Sequence, residues 1–264
     1  MLRLLIFSLL VANSALMAQH ADTLNAGLLI PVQAKWATSD NLGQVYLVTT
    51  GNALEKYAPD GRLLTRYTNN RLGKIHSVDV SNPLKVLVWF ADFRTVVFLD
   101  RSLTPLGELN LISAGFPEVR TVAAAADGNI WLYDEIAFQL RKLNSDGTQL
   151  FESQPLNLLL PGRQQITCLR DDGQDVFASD PEQGLYHFDA YAQLVRTLPF
   201  KGAYTFQLTR EGLVYLNDDR LLAIVFPAMN QTEKIIGGAQ GLPAWLGAGN
   251  VLVQQSKGLV VVPY

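Results

Sequence analysis

Charged side chains are spaced along this chain in a way that could hold an anion. Lys35, Arg71 with Lys74, Arg120, Arg163 and Lys201 each stand just before or at the start of a β-prone run. Carboxylates recur between them, at Asp92, Asp134 with Glu135, Asp180 with Glu182, and Asp218 with Asp219. Arg94 adds a cation beside Asp92, and the aromatic residues Trp36, Phe90, Phe93, Tyr133, Tyr204 and Trp245 accompany the charges. A collar of cations with aromatic contact area suits a small anionic ligand or an acidic peptide. The segment Trp89 to Phe93 closes an almost continuous apolar run from Val86. It reads either as an ordinary strand buried on both faces or as a partner-facing patch.

Other chemistries find less material. The three histidines, His20, His76 and His187, are far apart in sequence, so a zinc site is poorly supported. No G-x-S-x-G or H-E-x-x-H motif occurs, and Gly247-Ala248-Gly249 lacks the third glycine of a dinucleotide loop. Cys168 is the single cysteine, reads as a small buried strand residue, and has no intrachain partner for a disulfide. The formal charge is -3 and no Lys/Arg-rich block exists, which sets nucleic acid aside. The expectation is therefore a binding site without catalytic residues, metal or cofactor.

These residues must be positioned by a repeat. A turn followed by an apolar pair opening a strand recurs at Val45, Val86, Ile130, Val176, Val214 and Val251, at steps of 41, 44, 46, 38 and 37 residues. Periods near forty belong to four-stranded blades arranged in a ring. Each repeat divides into strands a to d. The third is the clearest: a over 119–126, the turn Asp127-Gly128, b over 129–133, c over 138–143, the turn Asn144 to Gly147, and d over 149–152. The fourth repeat places a over 166–169, b over 176–179, c over 184–189 and d over 194–198. The sixth stops after c at Tyr264, and the apolar run Gly27 to Gln33 is left over at the other end. An amino-terminal strand completing the last blade would close the ring, with Pro31 tolerated on an outer edge. The a–b and c–d turns lie on one face and are short. The d–a and b–c connections lie on the other, are longer, and carry the charges and aromatics named above.

Ahead of this, Arg3, the apolar run Leu4 to Val11, and Ala18-Gln19 form the layout of a secretory signal peptide over residues 1–18. Residues 19–264 then form a single propeller domain. No second apolar run is long enough to span a bilayer, so no transmembrane segment remains once the signal is removed. This predicts a periplasmic or outer-membrane-associated protein.

The segments Asp127-Gly128-Asn129-Ile130-Trp131, Leu140-Arg141-Lys142-Leu143-Asn144-Ser145-Asp146-Gly147, and Leu54-Glu55-Lys56-Tyr57 with Pro59-Asp60-Gly61 resemble the repeats of NHL-type or TolB-like six-bladed β-propellers. The Trp-Asp pair of WD40 repeats is absent. The resemblance implies an all-β ring of six four-stranded antiparallel blades around a channel, and no single chemistry. Its lactonase-type members hold metal through acidic and amide side chains at the channel mouth. Asp92, Glu118, Asp134, Glu135, Asp180, Asn217 and Asp218 would be the oxygen ligands for Ca²⁺ in that alternative. The favoured expectation is a non-catalytic platform. It binds an envelope protein or a small anionic ligand on the loop-rich face, through Lys35, Trp36, Arg71, Lys74, Trp89, Asp92, Phe93, Arg94, Arg120, Asp134, Arg163, Lys201, Tyr204 and Trp245.

Overall fold

Strands whose neighbouring residues are all apolar must bury both faces, and a ring of stacked sheets provides two faces to bury against. The computed structural model describes residues 27–217, 220–225, 233–239 and 241–264. The expected signal peptide lies outside the described residues, as do Asp218 and Asp219. Six four-stranded antiparallel sheets form, each hydrogen-bonded in chain order except the last. The innermost strands of blades 1 to 6 are Ala34–Ser39, Ser77–Asp79, Val119–Ala124, Cys168–Asp171, Phe206–Thr209 and Ala244–Gly247.

Blade 2 shows how the packing works. Along Lys85–Phe90, the side chains of Leu87 and Trp89 enter a cluster shared with blade 3. Val86, Val88 and Phe90 enter a cluster shared with blade 1. The two-residue strand period thus deals alternate side chains to opposite interfaces. The same holds in blade 3, where Ile130 and Leu132 face blade 2 while Trp131 and Tyr133 face blade 4. Further clusters join blade 4 to 5, 5 to 6, and 6 to 1. The ring is closed.

Closure rests on the amino-terminal strand Leu28–Ile30. It pairs antiparallel with Gly258–Pro263, placing Leu28 opposite Val261 and Ile30 opposite Leu259. Ile30 is fully buried in the cluster that joins blades 6 and 1. Polar contacts add to this seam. The Thr38 hydroxyl donates to the Leu246 carbonyl at 2.8 Å, the Ser39 hydroxyl to Asn250 Oδ1 at 3.0 Å, and the Gln254 amide oxygen accepts from the Ala34 N–H at 2.8 Å.

The c–d turns of blades 2, 3 and 4 share one construction. Asp100, Asn144 and Asp189 each accept two backbone N–H groups, two and four residues ahead. The residue three ahead is left-handed in every case, with φ of 59° at Leu103, 87° at Gly147 and 66° at Ala192. A side-chain oxygen that satisfies the turn's donors lets even leucine hold this conformation.

The strand limits follow the expectation closely except in blade 4, where the innermost strand runs Cys168–Asp171 rather than 166–169. Asp172 Oδ1 accepts from the N–H groups of Gln174 and Asp175, so residues 172–174 alone make the turn. Arg170 and Asp171 are left to the ladder, opposite Phe177 and Val176.

The closing strand leaves a mark at Gly258, whose φ is +147°. A methyl group there would lie 2.3 Å from the Ile30 carbonyl oxygen and 2.8 Å from Pro31 Cα. Gly258→Ala is expected to lower stability by more than about 2 kcal/mol in chemical denaturation. Gly128→Ala, with φ of +84° but open space around the new methyl, should cost only about 1 kcal/mol. Equal losses would show that contact with the closing strand is not what makes Gly258 sensitive.

Candidate functional site

The six innermost strands surround a central channel. Its half nearest the d–a and b–c connections is a cavity of about 210 Å³. Trp36 and Trp245, from the adjacent blades 1 and 6, line one side of it, with His76 of blade 2. Thr121, Thr167 and Thr205, from blades 3 to 5, line the other side with hydroxyls. The opposite half, about 160 Å³, reaches toward the short turns past Asp40 and Asp171. Asp79 and Arg170 border both halves and form the waist.

The waist is an offset ion pair, with Arg170 Nη1 at 3.6 Å from Asp79 Oδ2. Asp79 also accepts the N–H groups of Ser81 at 2.9 Å and Ala124 at 3.1 Å, so its carboxylate spans blades 2 and 3. Arg170 Nη1 donates to its neighbour's carbonyl, Leu169 O, at 2.9 Å. Its Nε and Nη2 have no hydrogen-bond partner among the described residues. Burial opposes the charge on this guanidinium, but Cys168 and Asp79 beside it raise its pKa.

The d–a and b–c connections meet on one face, as the local contacts show. Asn52, in the b–c turn of blade 1, bonds Gly73 and Ile75 of the following d–a connection. Much of the collar neutralises itself. Arg120 pairs with Glu135 at 2.8 Å, Arg94 with Glu118 at 3.5 Å, and Arg163 approaches Glu135 at 3.9 Å. Arg71 pairs with Glu108 at 3.6 Å and borders an outer groove between blades 1 and 2, away from the channel. Lys35, Lys74 and Lys201 are exposed and form no ion pair among the described residues. Exposed pairs contribute little stability, so the paired arginines mainly reduce the field at the rim.

Two sequence-derived assignments need correction. Trp89 offers a partner no surface: it is fully buried between blades 2 and 3, and its Nε1 donates to the Arg120 carbonyl at 3.3 Å. Only Asp92 and Phe93 of that segment are exposed. Asp134 is likewise buried, where it accepts from the N–H groups of Ile136 and Ala137 and from Arg141 Nε at 3.1 Å. It shapes its own turn and is no rim ligand. Asp180 plays a similar part, capping the Glu182, Gln183 and Gln165 N–H groups. These two carboxylates are therefore spent on backbone donors, which weakens the Ca²⁺ alternative. Asp218 lies outside the described residues. Among the described residues, no group of three or more His, Cys, Asp or Glu side chains is placed to hold a metal ion.

Of the residues expected from sequence, Trp36 and Trp245 line the cavity, and Tyr204 is 69 % exposed outside it. The residues that sequence reading missed are Arg170, Asp79 and the three threonines, while His76 was weighed only as a metal ligand. Strand alternation does not pick them out, since His76 and Asp79, like Thr167 and Arg170, stand three residues apart; their signal was position on or just before an innermost strand.

No family model matches the chain, and no curated protein matches it. Among solved structures, a streptogramin B lyase is similar, with a TM-score of 0.58, 14% identity, and 90% of this chain and 85% of that chain covered. Virginiamycin B lyase from Staphylococcus aureus has a TM-score of 0.58 at 12% identity, covering 86% of this chain and 83% of its own. The WD40 propeller domain of Doa1 has a TM-score of 0.58 at 12% identity, covering 83% and 74%. At these identities the likeness is one of fold.

Loss of water around its ring pulls the His76 imidazole below its ordinary value of 6.5, while the Asp92 carboxylate pushes it back up. The ring is expected to be neutral at pH 7. An NMR titration of the histidine ring protons should place its midpoint below 6.5, and Asp92→Asn should lower it further. A midpoint unmoved by Asp92→Asn would remove that carboxylate from the mouth's electrostatics.

Proposed function

We propose that this protein is a non-catalytic binding propeller of the bacterial cell envelope, and that it takes a small anionic ligand at the loop-rich mouth of its channel. The observation that carries this reading is the set of exposed lysines without an ion pair among the described residues, Lys35, Lys74 and Lys201, on the face where a cavity of about 210 Å³ opens. Arginines that could have served a protein-facing collar are instead paired with local carboxylates. The cavity falls below the roughly 300–1,000 Å³ of drug-sized sites, which favours a small molecule over a peptide. The repeat grammar supports an NHL- or TolB-like relationship, and the signal-like segment ahead of the ring supports export. The similarity to two lyases is at an identity too low to bring an activity with it.

Thermal-shift measurements at low salt test the binding. Inorganic phosphate, acetate and benzoate form the anion panel, with neutral and cationic isosteres as controls. At saturating anion the midpoint should rise by about 2 °C or more. The triple variant Lys35→Gln, Lys74→Gln, Lys201→Gln should lose most of that rise while keeping its ligand-free midpoint. Raised salt should act in the same direction, because exposed charges are screened. Equal stabilisation by the cationic isosteres would overturn the reading. Export is checked separately, by fractionating cells that express the full chain and sequencing the mature amino terminus. A start at Gln19 in the envelope fraction is expected; retention in the cytoplasm would refute the localisation.

A further inference from the structure

The four tryptophans fall into two classes. Trp89 and Trp131 are fully buried, and each indole N–H has a partner, the Arg120 carbonyl and Asp171 Oδ2 at 2.7 Å. They hold blades together. Trp36 and Trp245 are only half-buried and line the channel cavity. Neither indole N–H has a partner, and neither ring stacks on another, among the described residues. Each packs in part against a core cluster, Trp36 at the seam of blades 1 and 2 and Trp245 at the seam of blades 6 and 1, and adjacent blades thus present what remains of two large aromatic rings to a small cavity.

The floor of the same cavity is the Arg170 guanidinium, whose side chain is 18% exposed. A guanidinium offers five N–H donors in a planar fork, and a carboxylate fits that fork with two parallel bonds. Arg170 spends Nη1 on the Leu169 carbonyl and keeps Asp79 at 3.6 Å. The edge formed by Nε and Nη2 is left without a partner among the described residues. Asp79 approaches Nη1 rather than that edge, and the Ser81 and Ala124 N–H groups hold its carboxylate in place. Beyond the waist the channel passes Asp40 and Asp171, so an anion arriving from the lysine-bearing mouth meets carboxylates if it goes further. The favourable place for it to stop is at Arg170.

Size completes the description. About 210 Å³ is the liquid volume of roughly seven waters, enough for one ring and a carboxylate. We infer that the ligand is a small aromatic monocarboxylate, its carboxylate forked on Arg170 and its ring against Trp36 and Trp245. This rests on the small-anion reading above and names the class of ligand within it. Thr121, Thr167 and Thr205 line the far wall; the Thr167 hydroxyl already donates to the Tyr204 carbonyl at 2.9 Å, so its oxygen could only accept from a polar ring substituent.

The test uses the mature wild-type protein in calorimetric titration and tryptophan fluorescence. The probes are benzoate, its neutral isostere benzamide, the ringless carboxylate acetate, and the non-planar cyclohexanecarboxylate. Benzoate should quench fluorescence and bind at least about tenfold more tightly than benzamide, which cannot use the charge of the fork. It should exceed acetate by a similar factor, and cyclohexanecarboxylate should fall between them. Arg170→Met should abolish benzoate binding, and Arg170→Lys should weaken it about tenfold, because one ammonium cannot fork a carboxylate. Benzamide binding as tightly as benzoate would overturn the inference, and that comparison needs no variant to fold. If acetate and phosphate bind the wild type through the three lysines while benzoate does no better, the aromatic class falls and the small-anion reading stands. If no anion binds, both fall.

Discussion

Every blade of this protein is a sheet with two apolar faces, and no blade can be stable until both are covered. That single constraint organises the rest. It dictates the period-two dealing of side chains, in which Leu87 and Trp89 go one way while Val86, Val88 and Phe90 go the other. It also explains why strands of the b and c positions read as continuous apolar runs in sequence. A run that would suggest an interaction surface on an isolated strand is, in a ring, the ordinary filling between neighbours. Trp89 belongs to that filling.

Because the middle strands of the blades are committed to packing, the chemistry of the channel falls to the innermost strands and the long connections. The connections divide their charged residues between two tasks. Asp134 and Asp180 hold backbone N–H groups and give the b–c turns their shape. Glu118 and Glu135 neutralise nearby arginines. Among the described residues, what remains uncommitted at the mouth and waist is small: three lysines at the rim, two indole N–H groups, and one edge of a guanidinium, whereas the Thr167 hydroxyl is already held by the Tyr204 carbonyl. The functional reading follows from this remainder, since groups already satisfied within the fold have little to offer a ligand.

The ring was legible in the sequence because its signals are local and repeated. Asp-Gly and Asn-to-Gly turns, the spacing of the Val-led pairs, and the leftover Leu28–Ile30 run all reflect hydrogen bonding within a few residues or across one ladder. The site was legible only in part. Trp36, Trp245 and the three lysines were found because they stand beside the connections. Arg170 was missed because the strand was ended at Leu169, two residues early, which assigned the arginine to a turn. Pairing of Arg120 and Arg163 with Glu135 could not be seen either, since it depends on which connections meet above the channel. Turn chemistry is written in neighbouring residues, whereas a channel is assembled from six segments that sequence keeps far apart.

The seam between Leu28–Ile30 and Gly258–Pro263 also sets a schedule. The strand synthesised first is the one whose partner is synthesised last, so it waits through the making of all the others. Joining the two ends encloses nearly the entire chain, yet the entropy of closing a loop grows only logarithmically with its length. The delay is thus a matter of time more than of free energy. Until the final strand arrives, the apolar flanks of blades 6 and 1 stand uncovered, and a chain interrupted before Gly258 would leave a ribbon with two adhesive ends. The few residues from Gly258 to Pro263 thus decide whether the two flanks are sealed against one another.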